Sequence, residues 1–257
     1  MITLLCLLHA FTFPTAEAKG FPLHRERAET LKWQDFLLVE RRDQTRDALD
    51  RAEYFVPLIR PLFRAEGVPE DLVWLALIES SFRNHVESPT GAVGMFQFKR
   101  ETATAFGLVV RGRTDQRLEP IKAGAAAARY LRYLRGKFAS WDLVLAAYNL
   151  GEGDLRRTMA ARNSLTWEEV RPFVREETQN YVEKIRAAAI IGNRHLGNLN
   201  PQTPLRHTVL KGDTLYSIAR TYGVPVDELR ALNGLVGNHI SPGQALTVPK
   251  AAPKPLP

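Results

Sequence analysis

One carboxylic acid in this sequence stands where acid catalysis would need it. Leu72, Leu75, Ala76 and Glu79 fall at i, i+3, i+4 and i+7, so on a helix they share a stripe and Glu79 closes an otherwise apolar face. Desolvation on such a face and the negative end of the helix macrodipole both disfavour the charged form and raise a carboxyl pKa. A glutamic acid that keeps its proton near neutral pH is what protonation of a glycosidic leaving oxygen requires. The run by itself fits equally well a charge that ends a helix in solvent, or one that pairs with Arg83 a turn later.

Three further clusters have the residue types of a sugar site. Gly91 and Gly94 permit a tight turn that brings backbone close to a ligand, and Gln97 follows with an amide that both donates and accepts. Tyr148 and Asn149 end a helix read over Trp141–Ala147, with Gly151 and Gly153 as breakers, and offer a phenol for stacking and an amide for hydroxyl groups. Glu177 and Thr178 open a helix to Ile190 that carries Tyr181 on the stripe of Ile185 and Ala188. Each cluster is also explained by packing or capping alone.

The elements that must position these groups are helical. From about Leu31 to His195, segments near 31–50, 52–65, 69–80, 120–138, 141–149 and 167–191 carry apolar residues at three- and four-residue spacing. Pro69-Glu70-Asp71 is a sound helix start, and Leu72 to Ile78 is apolar all round, which predicts a buried helix. Residues 19–50 form a helical extension to a domain over 51–195. Residues 196–206 gather Gly, Asn and Pro as a linker.

Beyond the linker, residues 207–249 read as strand, helix, helix, strand: His207–Leu210, Leu215–Tyr222 stopped by Gly223, Pro225–Leu232, and Ala245–Val248. Residues 250–257 read as a disordered tail. At the other end, residues 1–18 hold the apolar run Ile2–Phe13, then Pro14 and the small-x-small pattern Ala16-Glu17-Ala18, and are expected to be a secretion signal. No Lys or Arg precedes that run, and the sole cysteine, Cys6, lies inside it. The formal net charge of +7 suits an anionic polymer. Basic residues are scattered and lack aromatic interleaving, which argues against nucleic acid.

Glu79-Ser80, the Gly91–Gln97 block ending Gly94-Met95-Phe96-Gln97, Ala147-Tyr148-Asn149, and Glu177-Thr178 with Tyr181-Val182 occur in that order. This set resembles the motifs of the soluble lytic transglycosylases, family 23 of the glycoside hydrolases, and within them the membrane-bound, D type. Met95-Phe96 stands where Leu-Met is common in that family, and Lys99-Arg100 where Met-Pro is frequent. The resemblance implies a mainly α, lysozyme-like catalytic domain with Glu79 as the catalytic residue. It implies substrate contacts from Ser80, Gly94, Met95, Gln97, Tyr148, Asn149, Glu177 and Tyr181.

It also implies substrate assistance: the acetamido oxygen of N-acetylmuramic acid attacks C1 while Glu79 protonates the leaving oxygen, and Glu79 then serves as base toward the 6-hydroxyl. An ordinary glycosidase needs a second carboxylate at a set distance, and no motif here marks one. A hydrolytic muramidase on the same fold and a non-catalytic wall-binding protein are the alternatives.

Residues 207–249, through Gly212-Asp213-Thr214-Leu215 and Ile240-Ser241-Pro242-Gly243-Gln244, resemble a LysM domain, with the βααβ order of that family. The resemblance implies that Gly212, Asp213, Thr214, Leu215, Asn238 and Ile240 bind N-acetylglucosamine polymers. A tethered binder of this kind would raise the effective concentration of wall. The expected partner is therefore peptidoglycan glycan, outside the cytoplasm, for a monomer with no membrane span after processing. Histidines lack ligand spacing and no nucleotide motif occurs, so neither metal nor cofactor is expected.

Overall fold

The computed structural model describes residue 21, residues 27–197 and residues 205–249. The expected secretion signal, most of the expected linker and the expected tail lie outside the described residues.

The first domain is built on α1 (Ala28–Asp35), which passes through a π-helical turn (Phe36–Glu40) into the long α2 (Arg42–Ala65). The sequence pattern divides 31–65 into two segments near Arg51. The structure breaks this stretch near Arg41 instead and runs α2 unbroken through Arg51, because the stripe Leu49, Ala52, Phe55, Val56, Ile59, Phe63 is buried throughout. A 3-10 turn (Glu70–Trp74) leads into α3 (Leu75–Ser80), so the expected single helix over 69–80 changes winding at Trp74.

Next come α4 (Arg100–Ala105) and a two-stranded antiparallel hairpin, β1 (Val110–Arg111) with β2 (Thr114–Asp115). α5 (Pro120–Arg135), α6 (Trp141–Leu150), α7 (Glu152–Ala161), α8 (Trp167–Val170) and α9 (Glu176–Gly197) complete the domain. Gly151, with φ 97°, ends α6. Gly153, expected to be part of the same break, lies inside α7, whose first turn holds Glu152 and Asp154 at the positive end of its dipole.

Small residues set the helix spacing. A Cβ at Gly124 of α5 would lie 3.1 Å from Ile59 on α2, and one at Gly192 of α9 would lie 2.3 Å from the Trp74 ring. α9 runs through the core, with Tyr181, Val182, Ile185 and Ala188 buried. It is tied to its neighbours by a buried ion cluster: the Arg186 guanidinium donates to Asp142 of α6 at 2.7 Å and to Glu183 at 2.7 Å, and Thr30 of α1 donates to Glu183 at 2.5 Å. Among the described residues no helix is long and apolar enough to cross a membrane.

The second domain is β3 (Leu205–Thr208), α10 (Leu215–Tyr222), α11 (Val226–Leu232) and β4 (Ala245–Val248), with β3 antiparallel to β4 and Leu205 opposite Val248. Thr214 and Ser217 form a capping box at the start of α10, and Gly223, left-handed at φ 65°, stops it. Val209, Leu215, Ile218, Ala219, Tyr222, Leu229, Leu246 and Val248 make its small core.

This core does not close on itself. Tyr222 stacks on Phe55 of α2 with ring centroids 5.7 Å apart and meets Tyr54 edge-on at 5.0 Å. The Tyr54 hydroxyl donates to the Tyr222 carbonyl. Thr208 donates to Asp47 at 3.3 Å, and the Asn84 amide to Thr221 at 3.3 Å. The module that the sequence places after a linker is seated on α2.

Candidate active site

Glu79 is the penultimate residue of α3, half-buried, in a helix whose Leu75, Ala76 and Leu77 are buried. Its carboxyl accepts from the Tyr181 hydroxyl of α9. Burial raises its pKa to about 7; the Tyr181 hydrogen bond works against that rise and the charge of Glu177 adds to it. Arg83, which the sequence allowed as its ion-pair partner, donates instead to the Ser80 carbonyl at 3.0 Å.

The chain leaves α3 through a strained turn. Ser81 and Phe82 are both left-handed, at φ 56° each, a conformation that costs a residue bearing a Cβ about 1 kcal/mol or more. The turn is held by burial of Phe82, by its N–H donating to the Ala76 carbonyl at 3.1 Å, and by Arg51 Nε donating to the Ser81 carbonyl at 2.9 Å.

Ser80, Gly94 and Met95 are buried beside Glu79 and the loop that follows. The Ser80 hydroxyl is buried and donates to the Met95 carbonyl at 2.8 Å. The Met95 side chain is buried in the core, which leaves its main chain as the part that faces its neighbours. Gly94 has φ 82°, and a Cβ there would lie 2.0 Å from the Arg117 carbonyl oxygen. Glycine is needed at this position for packing against Arg117.

Arg117 in turn donates to the carbonyls of Phe98 at 3.1 Å and Gly91 at 3.3 Å, clamping the whole loop. Gln97 is partly exposed, at φ 49°. Its amide nitrogen donates to the carbonyls of Val86 at 3.2 Å and Gly94 at 2.9 Å, which turns its oxygen into the group it can offer a ligand.

Tyr148 is half-buried and donates to the Phe96 carbonyl at 2.8 Å. Desolvation and then the Glu79 charge push its pKa well above the ordinary phenol value, and the same two causes act on Tyr181. Both phenols are therefore proton donors around the carboxyl. Asn149 accepts from Thr178 at 2.6 Å and donates to Glu177 at 3.2 Å, which links the end of α6 to the start of α9. Glu177 is exposed.

Behind Tyr148 stand Tyr130 at 5.2 Å and Phe98 at 6.4 Å, and Phe106 reaches Tyr130 at 4.8 Å. Burial raises the pKa of Tyr130 to about 12. Tyr130, Arg117 and Arg51 were not singled out from sequence. The i, i+3 pair Tyr130 and Tyr133 on α5 was the one local signal for the aromatic wall.

In the second domain, the expected glycan-binding side chains are mostly committed to the fold. Asp213 accepts from His207 at 3.0 Å and from the Leu210 N–H at 2.8 Å. Thr214 caps α10, Leu215 is buried, and Asn238 accepts from Arg230 at 3.1 Å. Ile240 packs half-buried against the core. What the Gly212–Leu215 loop has to offer a ligand is main chain, with Gly212 at φ 94°. Asp50, Glu53 and His195 bring ligand-type atoms within 4.8 Å of one another, a grouping that reflects the His195–Glu53 contact of 2.9 Å across α9 and α2.

Residues 61–170 match the family model described as "Transglycosylase SLT domain", and residues 207–249 the one described as "LysM domain". The chain is 29% identical over 220 residues to membrane-bound lytic murein transglycosylase D of Escherichia coli, a match covering 79% of this chain and 48% of that protein. It therefore spans about half the length of that relative. Over 94 residues it is 48% identical to peptidoglycan transglycosylase gp16 of Escherichia phage T7, covering 35% of this chain and 7% of the phage protein. Among solved structures, an inactive mutant of lytic transglycosylase Slt from Pseudomonas aeruginosa aligns over 56% of this chain and 25% of its own, with 23% identity and a TM-score of 0.47. The chain thus carries a transglycosylase SLT domain followed by a C-terminal LysM domain.

Proposed function

We propose that this chain is a peptidoglycan lytic transglycosylase. It breaks the β-1,4 bond between N-acetylmuramic acid and N-acetylglucosamine without water and leaves 1,6-anhydromuramoyl ends. Glu79 gives its proton to the departing N-acetylglucosamine oxygen as the acetamido oxygen closes on C1. The resulting carboxylate then takes the proton of the muramoyl 6-hydroxyl, whose oxygen displaces the acetamido oxygen from C1. Glu79 gives one proton to the leaving oxygen in the first step and regains another from the 6-hydroxyl in the second, so one carboxyl serves both.

The observation that carries this reading is the Glu79 carboxyl, raised to about 7 by burial and bonded by a phenol that stays protonated. It can hold a proton at neutral pH and still surrender it. In this reading Gln97, Tyr148 and Asn149 hold the sugar rings, Tyr181 orients Glu79, and Glu177 tunes it. Ser80, Gly94 and Met95 fix the backbone around the acid. The LysM domain binds the same polymer, and the enzyme works outside the cytoplasm.

Digestion of purified sacculi tests the chemistry. Muropeptides with anhydro ends are expected; products heavier by one water would make the enzyme a hydrolytic muramidase. A Glu79→Gln chain is expected to lose about a thousandfold in rate, and undiminished release would remove Glu79 from the mechanism.

A further inference from the structure

The two domains share more than a connecting segment. Tyr222, fully buried, is a core residue of the LysM domain, where its hydroxyl meets His207 at 3.0 Å, and it also stacks on Phe55 of α2. Arg51, one helical turn before Phe55 on α2, is only 3% exposed, an unusual state for an arginine. Burial lowers its pKa, and Tyr222 and Asp213 of the LysM domain act on its charge in the opposite sense. The guanidinium therefore lies beneath the docked module.

The other end of this contact is the turn behind Glu79. Arg51 Nε donates to the carbonyl of Ser81, the first of the two left-handed residues, at 2.9 Å. Asn84, just past the same turn, donates its amide to Thr221 of α10 at 3.3 Å. The segment Ser81–Asn84 is thus held from two sides, by Arg51 of α2 beneath the seated LysM domain and by Thr221 of that domain itself. Release of the module would open Arg51 to water, where its bond to Ser81 competes with hydration.

We infer that the LysM domain is a fixed wall of the catalytic half, and that Arg51, sealed between that wall and Ser81, is a positioning residue for Glu79. The second clause rests on the reading of Glu79 as the acid; the first does not. A catalytic group displaced by a fraction of its own bond lengths loses rate without losing substrate affinity.

Three measurements on the full chain decide it. NMR relaxation of backbone amides is expected to give residues 27–197 and 205–249 one common tumbling time; faster tumbling of 205–249 overturns the proposal. The double variant Tyr54→Ala with Thr221→Arg is expected to free the module. Turnover of a soluble, uncrosslinked octasaccharide of alternating N-acetylglucosamine and N-acetylmuramic acid should then fall about tenfold in kcat, with KM changed less than about twofold. A freed module with unchanged kcat, or a module still seated in that variant, overturns it.

Arg51→Met is expected to give the same fall in kcat with the module in place, and Arg51→Lys, which retains one donor for Ser81, to recover most of it. Equal losses in both would show that only the bulk of the side chain matters and would overturn its positioning role. If the unmodified chain left the octasaccharide intact, the reading of Glu79 would fall, while the tumbling times would still decide the docking.

Discussion

Tyr181 reaches across 102 residues of sequence to place its hydroxyl on the Glu79 carboxyl. Two forces meet there. Burial favours the acid form, and the phenol donor favours the anion, with burial the stronger. The carboxyl is left to titrate near neutrality, where either form is within easy reach of the other.

Because the folded pKa of Glu79, about 7, lies above its ordinary 4.5, the fold favours the protonated form. That advantage is complete below pH 4.5 and is lost as pH rises through about 7, a loss of at most about 3 kcal/mol. Glu79→Gln carries no charge to desolvate. It is expected to unfold at the same temperature as the unsubstituted chain near pH ~4 and at a higher one near pH ~9. Calorimetry at the two pH values checks this, and a difference that does not change with pH would remove burial as the cause.

Two neighbours should move the alkaline limb of the pH–rate profile in opposite directions. Tyr181→Phe deletes the hydrogen bond that lowers the Glu79 pKa, so the limb moves to higher pH, while kcat falls about tenfold with loss of orientation. Glu177→Gln deletes a charge that raises it, so the limb moves to lower pH. Shifts of the same sign in both variants would contradict the arrangement.

Gly94→Ala adds a methyl group that has no room. Its Cβ would lie 2.0 Å from a main-chain oxygen, at a φ of 82° that alanine rarely adopts. A loss of about 3 kcal/mol or more in chemical denaturation is expected, together with misplacement of Gln97. A loss below about 1 kcal/mol would mean that the Arg117 clamp yields easily.

Arg186→Met leaves Asp142 buried without its cation and Glu183 with only the longer contact to Arg27, 3.8 Å away. Breaking such a cluster from one side costs about 3–5 kcal/mol. The further change of Asp142→Asn and Glu183→Gln should recover part of it, because no orphan charge then remains. Denaturant midpoints of the single and triple variants test this, and a triple variant no more stable than the single one would argue that packing dominates.

Local signals in the sequence were read correctly where the structure is locally determined. α10 and β4 begin and end where their residues indicate, since the Thr214–Ser217 box and Gly223 need no distant partner. The sequence was divided into segments near 31–50 and 52–65, whereas α2 runs through Arg51, which is buried between Ser81 and the second domain. α4, α7 and the β1–β2 hairpin carry weak periodicity and were not read at all.

The site divides in the same way. Glu79, Tyr148 and Tyr181 converge as the motif order implied. Ser80, Met95 and Leu215 carry their family positions with side chains turned into the core, which linear spacing does not reveal. Arg51 acts through Ser81, 30 residues away, and Arg117 through Phe98, 19 away, so a short window of sequence does not contain their reason.

The meeting of Gly192 with Trp74 has a last implication. The bare α-carbon rests on the face of the indole, and the indole nitrogen is held by Asn193 at 2.8 Å on the next residue of the same helix. α9 carries Tyr181, and Trp74 is the last residue before α3, which carries Glu79. The gap between phenol and carboxyl is therefore gauged by the thickness of one aromatic ring. A methyl group introduced at position 192 would press on the indole and shift α9 against α3, so the spacing of Tyr181 and Glu79 is set from deep inside the protein.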